Sequence, residues 1–250
     1  LELVQKLELV GRALASNDLI PIFQYFCFTG THVYANNDGL AIKAPCITDQ
    51  AFAVNGNTLL GLLRASQSEE VSFRLGEEHE CRVKAGKSNF RLPYHTEDSF
   101  LFKEPENNWD VAVLVDPTLM KGLEACLQTA SRDAATQPAF VGVWLKHGST
   151  LYSCDGDALS RFTLAPDLPV GNYMMPNAFC EATLRINSTG GKLTLNAEWA
   201  KAELEGYTVY GRLIVNDDPL DHETLITSNL KQEPIFVSVP ADLDHALERA

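Results

Sequence analysis

"LYSCDGDALS" (Leu151–Ser160) reads almost as a second copy of "VYANNDGLAI" (Val33–Ile42). Each runs through an apolar residue, a Tyr, a small residue and polar residues to Asp-Gly, and then returns to apolar residues. Asp-Gly between alternating apolar runs marks a tight hairpin. A chain that makes the same hairpin twice invites comparison with itself at one long shift. Setting Gly39 on Gly156, 117 positions apart, opens a match that runs on in both directions.

Downstream, "NGNTLLGLLRAS" (Asn55–Ser66) is answered by "PNAFCEATLRIN" (Pro176–Asn187), and Arg64 and Arg185 stand 121 positions apart. Both segments read as short helices with a polar start. Alternating strands follow each: "EVSFRL" and "ECRVKAG" after the first, "KLTLNA" and "AKAELEG" after the second. "NFRL" and "YGRL" come next, with Arg91 and Arg212 again 121 apart. Upstream, "LELVQKLELVGRALA" (Leu1–Ala15) and "DPTLMKGLEACLQTA" (Asp116–Ala130) share apolar residues at helical spacing, and Asp-Pro signals a helix start in the second. "VPADLDHALERA" (Val239–Ala250) resembles this opening helix a third time, Leu243 and Leu247 lying 124 positions after Leu119 and Leu123. The division expected is therefore one unit at 1–106, a second at 107–233 and the start of a third at 234–250. Period-two alternation dominates, so the class is α+β, with antiparallel sheets and an apolar helix face laid on each.

The 250 residues carry 45% hydrophobic and 21% charged side chains, the composition of a globular chain and not of a disordered one. A formal net charge of −13 argues against a protein that coats nucleic acid with its whole surface, and leaves room for a local basic strip. No apolar run is long enough to cross a bilayer, so no membrane partner is expected. The chain does not begin with Met, so residues ahead of Leu1 are expected. Six scattered cysteines form no C-x-x-C pair; they read as small core hydrophobes in a reducing cytoplasm.

Enzyme readings find little. Gly86-Lys87-Ser88 lacks the glycine that a phosphate-binding loop needs five residues earlier, where Cys81 stands. "EEHE" (Glu77–Glu80) reads as a solvated hairpin tip, and the six histidines show no H-E-x-x-H pairing. No G-x-S-x-G elbow occurs. Neither a catalytic group, a metal nor a cofactor is expected.

The order of these segments resembles the bacterial DNA polymerase III β subunit family, the sliding clamps that confer processivity on replicative polymerases. "NDLIPIFQYFCF" (Asn17–Phe28) and "NNDGLAI" are similar to the family's Leu-Pro-Ile-Leu-type strand and the turn after it. "FVGVWLKHGSTLYSCDGDALSRFTLA" (Phe140–Ala165), "YMMPNAF" (Tyr173–Phe179) and "DDPLDHETLI" (Asp217–Ile226) resemble its second-domain hairpin, the Val-Pro start of a helix and the exit into a third domain. The resemblance implies repeated DNA-clamp domains, each with antiparallel sheets outside and two helices inside. Clamps of this family carry three domains per chain and two chains per ring. A homo-oligomer is therefore expected: a dimer if the product has three domains, a trimer if it has two, with truncation of a longer product the preferred explanation.

The resemblance further implies weak, non-specific contact with double-stranded DNA, because tight or base-specific contacts would stop a clamp from sliding. The candidate DNA-facing residues are Lys6, Arg12, Arg64, Lys121, Arg132 and Arg185. The same segments hold Glu2, Glu8, Asp116, Glu124, Asp133 and Glu181, so charge cancels there, and each cation also reads as part of an ordinary solvated helix face. Asn17-Asp18 and Asn177-Ala178 stand where the family carries basic residues. For peptides of polymerases and the clamp loader, the implied pocket residues are Phe140, Cys154, Gly156, Asp157, Leu159 and Thr227. Phe140 by itself reads more readily as plain core; only together with the other pocket residues do the two readings balance. The other function class is a clamp-fold protein that binds peptides or regulates without encircling DNA.

Overall fold

The computed structural model describes residues 2–16, 19–66, 68, 70–106, 108–133, 138–146, 149–164, 171–188, 190–215 and 221–229. The chain divides into a compact unit, Leu1–Asp217, and a second, Asp218–Ala250, of which only 221–229 are described. The expected helix at 239–250 lies outside the described residues, as do Asn17 and Asp18.

In the first unit the elements come in chain order as α1 (Glu2–Val10), β1 (Tyr25–Thr29), β2 (His32–Asn36), β3 (Leu40–Pro45), β4 (Ala51–Asn55), α2 (Gly56–Ser66), β5 (Val71–Leu75), β6 (Glu80–Ala85) and β7 (Ser88–His95). The order then recurs as β8 (Val111–Val115), α3 (Pro117–Leu127), β9 (Gly142–Lys146), β10 (Thr150–Cys154), β11 (Leu159–Thr163), β12 (Tyr173–Pro176), α4 (Asn177–Ile186), β13 (Gly191–Leu195), β14 (Trp199–Leu204) and β15 (Tyr207–Arg212). The second unit contributes α5 (His222–Asn229).

Among the described residues the strands form an eleven-stranded sheet in the order β5-β6-β7-β4-β1-β2-β3-β15-β14-β13-β8, and a four-stranded sheet in the order β11-β10-β9-β12. Every pairing is antiparallel. The two repeats meet where β15 pairs with β3, Val209 opposite Ile42 and Tyr210 opposite Ala41. The class is α+β, with the sheets and few helices of the clamp fold.

Local chemistry accounts for the helices. Asp116 accepts a hydrogen bond from Leu119 N at 2.7 Å and Pro117 fills the first helical position, so α3 starts where the sequence signals it. Leu119, Leu123, Cys126 and Leu127 then repeat at helical spacing and are buried. Asn55 does the same for α2, accepting from Thr58 N at 3.0 Å and from its hydroxyl at 2.8 Å. The helices share one side of the sheets: α1 packs on β3, α2 on β1 and β4, α3 on β10 and β11, and α4 on β15, while α1 also touches α2 and α4 and α3 touches α4. The core lies beneath them, where Leu7, Phe26, Phe28, Leu59, Leu123 and Phe179 are almost fully buried.

The opposite face carries a feature that periodicity does not single out. The stretch after β7 crosses the joint between the repeats. Phe100 and Phe102 lie against Tyr34, with ring centroids at 5.8 and 5.6 Å, and Phe102 also meets Tyr210 at 5.3 Å. Glu104 accepts hydrogen bonds from Lys43 Nζ on β3 and, at 2.8 Å, from the Tyr210 hydroxyl on β15.

Three sequence expectations shift. Pro21–Gln24 forms a 3-10 turn and the strand begins at Tyr25, because Pro has no N–H for a ladder. The two opening hairpins are equivalent, but one position out of step with the Asp-Gly match. Asn37 N bonds Leu40 O and Asp155 N bonds Ala158 O, at 3.0 and 3.2 Å, so Asn37 answers Asp155 and Asp38 answers Gly156. Both of the latter take positive φ, 70° and 102°. The β6–β7 and β14–β15 turns pair Ala85 with Ser88 and Leu204 with Tyr207, which sets Arg91 against Tyr210 and not against Arg212.

Candidate functional site

The peptide-pocket candidates of the first unit gather around the β10–β11 turn. Asp155 holds this turn, its carboxylate accepting from Asp157 N at 2.9 Å and Ala158 N at 2.7 Å, and these backbone donors draw its pKa below the usual value. Gly156 sits at φ 102°, and a Cβ there would lie 3.6 Å from the Phe140 ring, so turn and ring are in contact distance. Cys154 is buried and its Sγ accepts from Gly156 N at 3.3 Å. Leu159 pairs with Cys154 across the hairpin and is half-buried. Asp157 is exposed beside them.

Phe140 is held from its backbone. Its carbonyl accepts from Ser131 N at 2.8 Å, and Trp144 Nε1 donates to the neighbouring Ala139 carbonyl at 3.0 Å. Phe140 is half-buried. Behind it Ser153 donates to Cys126 O at 2.6 Å and meets the Thr129 hydroxyl at 2.6 Å, which satisfies polar groups in a buried spot. Thr227 lies on α5 in the second unit, its hydroxyl donating to Glu223 O at 2.7 Å. The structure thus brings Phe140, Cys154, Gly156, Asp157 and Leu159 together in the first unit.

The six basic candidates separate into two groups. Arg64 pairs with Glu8 at 2.8 Å, Arg132 with Glu181 at 3.4 Å and Lys6 with Glu2 at 3.8 Å. Arg12, Lys121 and Arg185 are exposed and, among the described residues, form no ion pair. Arg12 and Arg64 line a shallow cavity of about 480 Å³ between α1 and α2, together with Asn57 and Leu60. Asn57 is not among the sequence candidates; a lone polar residue in a first helical turn gives no signal of its own.

Burial pushes the Cys27 thiol up to about 12, and those of Cys81 and Cys126 up to about 11. All six cysteines are free. Among the described residues no three His, Cys, Asp or Glu side chains are placed to hold a metal, and no helix is long and apolar enough to cross a membrane.

This architecture is that of the bacterial sliding clamps. Among solved structures, the chain is similar to the Helicobacter pylori β clamp bound to a DNA ligase peptide, with TM-score 0.78 and 16% identity over 90% of this chain and 67% of that one. It is similar to the DNA polymerase III β subunit of Thermotoga maritima, with TM-score 0.74 and 18% identity over 90% and 65% of the two chains. The DNA polymerase sliding clamp of Bacillus subtilis gives TM-score 0.76 and 14% identity over 89% and 65%. The chain therefore spans about two thirds of the length of the clamps it matches. No family model and no curated protein matches it.

Proposed function

We propose that this protein is a sliding clamp: a non-catalytic, cytoplasmic accessory protein that encircles duplex DNA as a ring-shaped homo-oligomer and binds peptides of a replicative polymerase and its clamp loader. The chain is read as two clamp units, 1–106 and 107–233, with the start of a third at 234–250. The observation that carries the proposal is the joint between repeats. Two like units meet edge to edge through β3 and β15, with their helices on one side. Units that join this way through one pair of edges can add further units by the same rule, and closure of such a series gives a ring.

Arg12, Lys121 and Arg185 are the cations that remain available for phosphates, and a few non-specific contacts suit sliding. Phe140 and Leu159, beside the Gly156 turn, are the walls of the peptide pocket. Retention on DNA tests this reading. With a clamp loader and ATP, the full-length protein should stay on circular DNA through a high-salt wash and be lost when the circle is cut. Equal loss from both forms would overturn it.

A second reading has one observation in its favour: three of the six basic candidates are neutralised by ion pairs. In that reading the clamp fold binds peptides without encircling DNA, and Phe140→Ala weakens peptide capture while circular and linear DNA behave alike.

A further inference from the structure

Three arginines stand side by side on adjacent strands of the first repeat. Arg74 on β5 lies directly opposite Arg82 on β6, and Arg82 directly opposite Arg91 on β7. Lys84, two residues along β6 from Arg82, lies between Ser72 and Asn89. All four cations are exposed, while Phe73, Cys81, Val83 and Leu92, which alternate with them, pack on the core. The cations therefore share one face of the sheet, the face turned from the core.

Like charges directly opposite on a sheet destabilise it, so such a row needs a reason beyond folding. The second repeat shows that the fold does not demand it. There the matching turns set Thr194, Lys201 and Tyr210 at the places of Arg74, Arg82 and Arg91, and Glu203 at the place of Lys84. Lys201 pairs with Glu203 at 2.8 Å, and the Tyr210 hydroxyl donates to Glu104 at 2.8 Å. In the first repeat one carboxylate, Glu80, serves the row. Arg82 Nε lies 2.9 Å and Arg91 Nη1 3.6 Å from its oxygens, and the bond from Arg82 draws its pKa below the usual value. Among the described residues Arg74 and Lys84 form no ion pair. Local positive charge on a chain with a formal net charge of −13 is a surface for an anion. A strand lying beside β5 would extend the sheet in its own plane and leave this face open. Arg82 and Lys84 stand on β6, between two described strands.

Glu80 indicates the kind of anion. It shares the exposed face of β6 with Arg82 and Lys84 at alternate positions, and its carboxylate already sits between two arginines. An extended peptide presents side chains to one face every second residue, about 6.6 Å apart, which is also the period of Arg82 and Lys84 along β6. Single-stranded nucleic acid calls for aromatic rings on which bases stack, and no Phe, Tyr or Trp alternates onto this face among the described residues of β5, β6 and β7. We propose that this face docks an extended acidic segment of a partner protein, with Asp or Glu at alternate positions. One carboxylate enters between Arg74 and Arg82, and the next pairs with Lys84. The planar arginine forks hold the carboxylates and set the register of the segment. The face is separate from the Phe140 turn, and its function does not depend on whether the protein encircles DNA.

The probe is a fluorescent synthetic peptide of alternating Ser and Glu, titrated into the full-length protein and followed by anisotropy at low and moderate salt. Saturable binding is expected, weakened about fivefold or more in the double variant Arg82→Gln/Lys84→Gln, the scale of the exposed ion pairs removed. The double variant Lys103→Gln/Lys192→Gln removes the same charge from exposed positions elsewhere and should bind as the wild type does. No binding, or equal weakening in the two double variants, overturns the proposal. So does tighter capture of a single-stranded oligonucleotide of equal charge that is lost in Arg82→Gln/Lys84→Gln, because the row is then a phosphate surface. Binding that appears only when the full-length oligomer dissociates also overturns it, since the row then belongs to the contact between copies.

Discussion

Asp38 and Gly156 hold the same place in their hairpins, at φ 70° and 102°, and they should respond oppositely to exchange. Asp tolerates the left-handed region at some cost, whereas Gly occupies it freely. Asp38→Gly is therefore expected to leave stability unchanged or raise it by a few tenths of a kcal/mol. Its ion pair with Arg212, at 3.8 Å between exposed groups, adds little to offset this. Gly156→Ala should cost about 1 kcal/mol, because the strain arises from φ and not from the ordinary 3.6 Å contact with Phe140. Urea unfolding of both variants measures the contrast. At this scale the Asp-Gly pairs are legible as turns, but their alignment is not. Letters repeat at 117 while the hydrogen bonds of Asn37 and Asp155 repeat one position further on, and only backbone geometry distinguishes the two. Phe140 likewise cannot be separated from core by its letter; the neighbouring glycine at positive φ is what brings the turn to its ring.

Among the elements, two helix glycines with opposite surroundings make a matched pair. Gly61 on α2 has open space where a Cβ would stand, so Gly61→Ala should stabilise by up to about 1 kcal/mol through helix propensity alone. Gly122 on α3 is buried, and a Cβ there would come within 2.7 Å of Phe162 and 2.8 Å of Leu151. Overpacking costs about 1–3 kcal/mol, which exceeds the propensity gain, so Gly122→Ala should destabilise. Thermal unfolding of the two variants should show midpoints moving in opposite directions. The helices themselves are readable from sequence, since Asp116-Pro117 and Asn55 are start signals and Leu119, Leu123 and Cys126 keep helical spacing. The strand expected through Pro21 does not form there, because an apolar run cannot replace the N–H that proline lacks.

At the scale of the whole molecule, the Glu104 bridge over the β3–β15 joint gives a pH-dependent prediction. Burial raises its carboxyl pKa, but the bonds from Lys43 and Tyr210 outweigh this and hold it below the ordinary 4.5. A carboxylate with a depressed folded-state value stabilises above the unfolded value and loses that contribution as pH falls through the folded one. Wild-type stability should therefore drop faster than that of Glu104→Gln below pH 4.5, with the two curves converging in acid; the half-exposed position keeps the difference small. For the DNA reading, reversing Arg12, Lys121 and Arg185 to Glu should weaken retention at every sequence alike. It should also flatten the salt dependence, by about one unit of log–log slope for each phosphate no longer neutralised. Filter binding over a salt series measures this. The order of the repeated segments is legible in the sequence because each hairpin and helix is local. The joint is not, because β3 and β15 lie far apart in the chain and no local period encodes their pairing. The ring is the central claim, and the mass of the full-length protein in solution, by light scattering on a sizing column, tests it most directly. Six clamp units per particle are predicted, two chains if the product carries three units or three chains if it carries two, whereas a monomer at micromolar concentration would contradict the ring.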